Sequence, residues 1–350
     1  MNFDDSRVLV VGGAGFVGSN LVKRLLRDWD PQVLVVDNLL SAERENLPDD
    51  PRIEFDHASI NDAVMSIGTD FDYVFHLSTY HGNQSSMADP VADHENNLVT
   101  TLNLCEHFAG SERLKKLVYS SAGCTVAHKT HDAPVATSED APISAYHDSP
   151  YQISRIVGEL YLNYYWASQG LPAVKARFQN VYGPGEVLGA GEWRGTPATV
   201  WRNVTPTFVY RALKAMPLLL HSGGDVSRDF IYVDDIVEGL LRCASSGAPG
   251  EVYNLSSGSE TTIRHLAETI AEEVGGAVEL QVIPGRPWDR SGRRFGDPTK
   301  AREELSFEAQ TSLHQGIAAT VEWTRANMER IDGAIDRHRS RIEALAGTAV

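Results

Sequence analysis

The sequence predicts an α/β protein built on a doubly wound parallel sheet, with a smaller α/β substrate domain interleaved into its second half. Three observations carry that prediction. A buried strand, a glycine turn, an amphipathic helix and a second buried strand follow one another within residues 7–36. Strand-like and helix-like segments then keep alternating as far as residue 177. Beyond about residue 181 the alternation loosens, and Gly and Pro cluster at 183–197.

Each element has its own signature. Arg7-Val8-Leu9-Val10-Val11 is a short β-branched run that stops at Gly12-Gly13, as a buried strand does. Residues 16–28 place Leu21, Val22, Leu25 and Leu26 on one helical face. Val33-Leu34-Val35-Val36 is a second buried strand ending at Asp37, and strand, turn, helix, strand is a βαβ unit. The same reading gives a strand at 72–77, a helix at 96–109, a strand at 117–120, a helix at 151–168 and a strand at 173–177. Further helices are expected near 205–215 and 234–245. Residues 1–180 are read as a cofactor domain to which later segments return, and 181–350 mainly as a substrate-binding domain with C-terminal helices.

Composition narrows the function classes. Hydrophobic residues make up 42% and charged residues 22% of the chain, which fits a soluble globular protein of 350 residues. The net charge of -16 repels phosphate backbones, so no nucleic-acid partner is expected. Cys105, Cys124 and Cys243 are far apart and form no CxxC pair, so neither a metal site nor a disulfide framework is expected. The N-terminus has the pattern of neither a signal peptide nor a membrane span, and the cysteine usage fits a reducing cytoplasm.

Gly12, Gly15 and Gly18 stand between the first strand and the first helix. The first permits a tight turn, the second lets backbone approach a pyrophosphate, and the third lets helix and strand pack closely. A pyrophosphate then sits on the helix N-terminus, where free N–H groups and the helix dipole favour negative charge. Asp37 ends the next strand, where a carboxylate accepts hydrogen bonds from a ribose diol and repels a 2′-phosphate. NAD is therefore expected rather than NADP.

Tyr151 and Arg155 lie four residues apart at the start of a helix and share one face. A phenol titrates near pH 10 in water, so it serves as a base at neutral pH only with a cation beside it. Ser121, at the end of the preceding strand, is placed to hydrogen-bond the same substrate hydroxyl, with Ser120 as the neighbouring alternative.

With these residues the chain resembles the extended short-chain dehydrogenase/reductases, in the nucleotide-sugar epimerase/dehydratase branch typified by UDP-glucose 4-epimerase. The matching stretches include VVGGAGFVGSNLV (11–23), FDYVFHLS (71–78), LVYSSAG (117–123), SPYQISRIVGE (149–159), ARFQNVYGPG (176–185) and RDFIYVDDIVEGL (228–240). The resemblance implies a Rossmann-type domain with a tightly bound NAD, and a nucleotide-diphosphate sugar as substrate. It implies that NAD is held by Gly12, Gly15, Phe16, Val17, Gly18, Asp37, Asn38, Ser59, Ile60, Leu77, Ser78, Asn97, Tyr151 and Arg155. It makes Tyr151 the base and Ser121 its partner, and assigns Asn180, Asn203, Val204, Arg228 and Arg286 to the substrate. The loop 185–203 is expected to line the sugar pocket, with Trp193 and Arg194 as contacts. Helices 96–109 and 151–168 resemble those that pair into a homodimer.

Two departures stand out. Arg155 replaces the usual lysine; it keeps the charge, is expected to reach a ribose hydroxyl, and lysine in its place is expected to preserve or raise activity. Ser59 stands where many relatives have an aspartate that reads adenine. The reaction is read from residues 122–124. Dehydrating relatives carry Asp-Glu after the catalytic hydroxyl, whereas here Ala122 and Gly123 can transfer no proton. The simplest cycle left is 4-epimerisation: Tyr151 takes the 4-hydroxyl proton, hydride moves to NAD, the 4-keto sugar rotates, and hydride returns to its other face. The alternatives are a dehydratase, a 3,5-epimerase using Cys124, and a non-catalytic sensor of NAD or a sugar nucleotide. His76, His81 and His128 are read as structural.

Overall fold

The computed structural model describes residues 1–123, 135–286 and 292–347. Cys124 and His128 lie outside the described residues. Seven parallel strands form the central sheet in the order Val252–Leu255, Ala173–Phe178, Lys116–Ala122, Tyr73–His76, Arg7–Val11, Gln32–Val36, Ile53–Asp56. The strand order reverses between Arg7–Val11 and Tyr73–His76, where Val11 pairs with both Val36 and His76. In such sheets a crevice opens beyond the carboxyl ends of the strands at that point. The short strand Ile53–Asp56 has no counterpart in the sequence reading; its Ile-Glu-Phe-Asp alternation suits an edge with only one neighbour.

Helices cover both faces. Val8 and Val10 point to one core with Leu21, Leu25, Leu240 and Leu241, under helices Phe16–Asp28 and Val233–Ser246. Leu9 and Val11 point to the other, with Leu104, Phe108, Leu162 and Tyr165, under Thr100–Phe108 and Pro150–Gln169. Both faces are dry, which is why these strands read as continuous apolar runs. The helix expected at 96–109 begins as a π-turn over Glu95–Val99 before continuing as Thr100–Phe108. That local widening places Asn97 in the interior.

The second lobe has its own core, in which Phe208, Val209, Leu266, Ile270 and Ile317 pack around Tyr182. The strand Leu218–His221 pairs in parallel with Leu280–Ile283. A separate apolar cluster joins Val187, Leu188 and Val200 to Ile331 and Ile335 of the helix Met328–Asp336, so the tail clamps the 185–203 loop. No described helix is long and apolar enough to cross a membrane.

Candidate active site

A cavity of about 580 Å³ opens at the strand-order reversal and runs toward the second lobe. Gly12, Gly15, Phe16, Val17, Gly18, Asp37, Asn38, Ser59, Ile60, Leu77 and Ser78 line one end. Ser121, Tyr151 and Arg155 line the middle, and Asn180, Asn203, Val204, Arg228 and Arg286 the far end.

The glycine turn is tight. Gly12 has φ +81°, and a Cβ there lies 2.5 Å from the Ser78 amide nitrogen. A Cβ on Gly18 lies 2.3 Å from the Gly12 carbonyl oxygen. Helix Phe16–Asp28 has no side-chain cap, so its opening amides are left for a ligand. Asp37 accepts from the Ala14 and Leu39 amides, each at 2.9 Å, and burial pushes its carboxyl above the usual range against those bonds. It therefore shapes the turn as well as facing the cavity. Asn46 donates to Ala14 O at 2.8 Å and accepts from Arg330 at 2.8 Å, tying the turn to the tail helix. Ser59 accepts from the Asn61 amide as the cap of the short helix Ile60–Ala63.

Arg155 is 1% exposed. One terminal nitrogen donates to Ser120 O at 3.1 Å and Tyr119 Oη at 3.4 Å. The other donates to Ser78 O at 3.2 Å and Asn97 Oδ1 at 3.1 Å. The four hydrogens of these two nitrogens are thus taken by protein acceptors. Only Nε is left, buried and unpartnered, in a residue that lines the cavity. The guanidinium carbon lies 5.4 Å from the centre of the Tyr151 ring, so the tyrosine faces a cation locked in place. Asn97 does not line the cavity; it orders Arg155 and accepts from the Tyr80 amide at 2.8 Å. The cage bears on the expectation that lysine in place of Arg155 preserves or raises activity, and favours the opposite outcome. Lysine has three donors against the cage of four acceptors, and a compact ammonium cannot span them.

Ser121 donates to Glu159, which forms a buried ion pair with Arg177 at 2.7 Å. With its proton committed, Ser121 presents a lone pair to the cavity. Ser120 donates to His76 O at 3.0 Å, within the sheet.

At the far end Arg228 donates to the carbonyls of Ser227 and Gly292, and Arg286 donates to His221 Nε2 at 3.1 Å. Asp229 turns inward to accept from the Ser257 and Gly258 amides rather than from Arg228. The expectation for Trp193 and Arg194 is corrected. The Trp193 ring lies 5.9 Å from that of His338, and Arg194 donates to Ser41; neither lines the cavity. From the 185–203 loop, Glu186, Trp201 and Arg202 do so instead, joined by His81, which the sequence reading treated as structural. Asn203 bridges these residues: it donates to Glu186 and faces His81 Nε2 at 3.1 Å. No sequence spacing marks this set, because residues 81, 186 and 203 meet only through the fold.

Parallel sheet, glycine turn, and a tyrosine and buried cation over one polar cavity define a dinucleotide-dependent enzyme class. Residues 8–256 match the NAD dependent epimerase/dehydratase family, and the chain belongs to that family. It is 35% identical to a UDP-glucose 4-epimerase of Mycolicibacterium smegmatis, over 91% of this chain and 98% of that protein. It resembles the Bordetella bronchiseptica enzyme WbmF crystallised with NAD+, at 53% identity and a TM-score of 0.87, covering 98% of this chain and 99% of the other. WbmF has also been crystallised with NAD+ and UDP together. An epimerase from Methanothermobacter thermautotrophicus matches at 36% identity and a TM-score of 0.86, over 95% of each chain.

Proposed function

We propose that this protein is an NAD-dependent epimerase of a sugar carried on a nucleoside diphosphate, acting at carbon 4 through a transient 4-keto sugar. The observation that carries it is Tyr151 set against the caged Arg155, in a cavity that Ser121, the glycine turn and the arginines of the second lobe also line. The cavity fits a long polar ligand. Asp37, Ser121, Tyr151, Asn180, Asn203, Arg228 and Arg286 are among the polar residues that line it. The 10-residue helix Val204–Leu213 starts there without a side-chain cap, which supports a diphosphate near Asn203 and Val204.

Bound NAD supplies the acceptor for the hydrogen leaving carbon 4. Tyr151 takes the hydroxyl proton and Arg155 stabilises the resulting phenolate. Ser121 accepts a hydrogen bond and orients the sugar. Asp37 favours NAD over NADP by repelling a 2′-phosphate. Ala122 and Gly123 carry no proton-transfer group, which weighs against dehydration. Ile153, Leu160 and Tyr164 are half or more exposed along one helix, and this apolar stripe supports a homodimer through that face. The free thiols Cys105 and Cys243, both buried with their pKa values pushed up to about 12, fit a cytoplasmic setting.

NMR of products from UDP-, dTDP-, GDP-, CDP- and ADP-sugars tests the reaction. Inversion at carbon 4 without solvent deuterium on the ring is expected. Ring deuterium would replace this reading with 3,5-epimerisation, and no turnover or nicotinamide reduction with any sugar would leave a sensor.

A further inference from the structure

Gln179 stands where the central sheet meets the cavity. Ser121 pairs with Arg177 and Ala122 with Phe178, so Gln179 comes level with Gly123 just past the two strand ends. Side chains two residues apart on a strand point to one side. Gln179 therefore follows Arg177, and Gly123 follows Ser121, on the side covered by the helix that carries Glu159 and Tyr151. The rise along a strand sets Gln179 about 7 Å beyond Arg177, which is level with Ser121.

Two missing side chains make room for its amide. A Cβ on Gly123 would lie 2.7 Å from Cδ and 2.8 Å from Oε1 of Gln179, and a Cβ on Gly296 would lie 2.7 Å from Nε2. The amide thus rests between two glycine backbones, one just after Ser121 and one just after Arg294 and Phe295. Gln179, Gly123, Arg294 and Phe295 all line the cavity. The side chain is half-buried, and among the described residues its amide makes no hydrogen bond. Neither amide atom is sealed off, in contrast to Ser256 Oγ beside the same Gly296, which is buried without a partner. An amide carries two donor hydrogens and an oxygen with two lone pairs, and here all of them remain for a ligand.

We propose that Gln179 is a specificity residue whose amide holds a neutral polar substituent of the sugar, a hydroxyl or an acylamino group. The inference rests on the nucleotide-sugar reading above and adds the side chain that tells one sugar from another. Such substituents donate and accept at once, as the amide does, so both of its halves are satisfied by one group. The glycine slot fixes the amide by packing instead of by hydrogen bonds, which leaves its bonding capacity unspent. Gln179 acts on which sugar is held; the proton is taken by Tyr151.

Binding to the NAD-loaded protein tests it, with UDP, UDP-glucose, UDP-N-acetylglucosamine and UDP-xylose as probes. Gln179→Met keeps the length of the side chain and removes donor and acceptor. The sugar that wild type holds tightest is expected to weaken about fivefold or more in this variant, the spread among the three sugars to narrow, and UDP affinity and NAD content to stay unchanged. Gly123→Ala keeps Gln179 but closes its slot, and is expected to weaken the same sugar and spare UDP. In the double variant the two losses are not expected to add, because both remove one contact. Sugar affinities unmoved in Gln179→Met would overturn the proposal. So would UDP affinity falling as much as sugar affinity, or losses that add in full. If wild type binds neither UDP nor any of the three sugars, the nucleotide-sugar reading fails instead, and this contact with it.

Discussion

Around the glycine-turn end of the cavity, several polar side chains are bonded to protein. Asp37 holds two amides, Asn46 holds Ala14, and Asn97 holds both Arg155 and Tyr80. What faces the ligand there is mostly backbone: the amides of an uncapped helix and glycines with no room for a Cβ. In the second lobe the cavity is lined by side chains instead: Asn203, Arg228 and Arg286 face it, and each is held by a neighbouring residue. One end thus presents mainly backbone and the other mainly side chains.

The largest effect should come where the two ends meet. Tyr151→Phe is expected to leave NAD content intact and cut turnover about 100-fold or more, the scale of a lost general base; steady-state rates beside the absorbance of bound nicotinamide decide it. Gly18→Ala attacks the glycine-turn end. Its Cβ falls 2.3 Å from the Gly12 carbonyl oxygen, so loss of cofactor and about 1–3 kcal/mol of stability are expected in a denaturant titration. If the variant binds NAD normally, the turn is not rigid. Arg155→Lys tests the cage: with at least one acceptor left unpaired, a loss of about 1–3 kcal/mol and a slower enzyme are expected. A lysine variant as fast and stable as wild type would mean the cage is dispensable.

Smaller effects sharpen the comparison. Asp37→Ala should reduce the preference for NAD over NADP by about tenfold, about 1.4 kcal/mol, measured as the ratio of binding constants. It should also loosen the turn, because two amides lose their acceptor. His76 is fully buried and burial lowers its pKa to about 3 from 6.5. The unfolded chain takes up this proton as pH falls below 6.5 and the folded chain does not, so the associated stability is present above 6.5 and lost progressively toward 3. The difference in Tm between wild type and His76→Gln is expected to narrow over that range.

Much of the glycine-turn end was legible in the sequence because its signals are local. Strand, glycines, helix and Asp37 lie within 31 residues, from Arg7 to Asp37, and Tyr151 and Arg155 are fixed on one face by helical spacing. The environment of Arg155 was not legible, since its acceptors come from two strand ends and a π-turn. The far end was misread at Trp193 and Arg194 because a loop has no periodicity to orient its side chains. Their directions are set by Ser41 and His338, which are distant in the chain. Glu186 and His81 went unseen for the same reason, as each gains meaning only through Asn203.

The tail helix Met328–Asp336 touches both ends without lining the cavity. Through Ile331 and Ile335 it seats the 185–203 loop, and through Arg330 and Asn46 it reaches the carbonyl beside the glycine turn. A protease cutting near residue 328 therefore reports on events far from the cut. Loading NAD is expected to stiffen the turn and slow that cleavage, and trimming the tail to slacken the hold on cofactor.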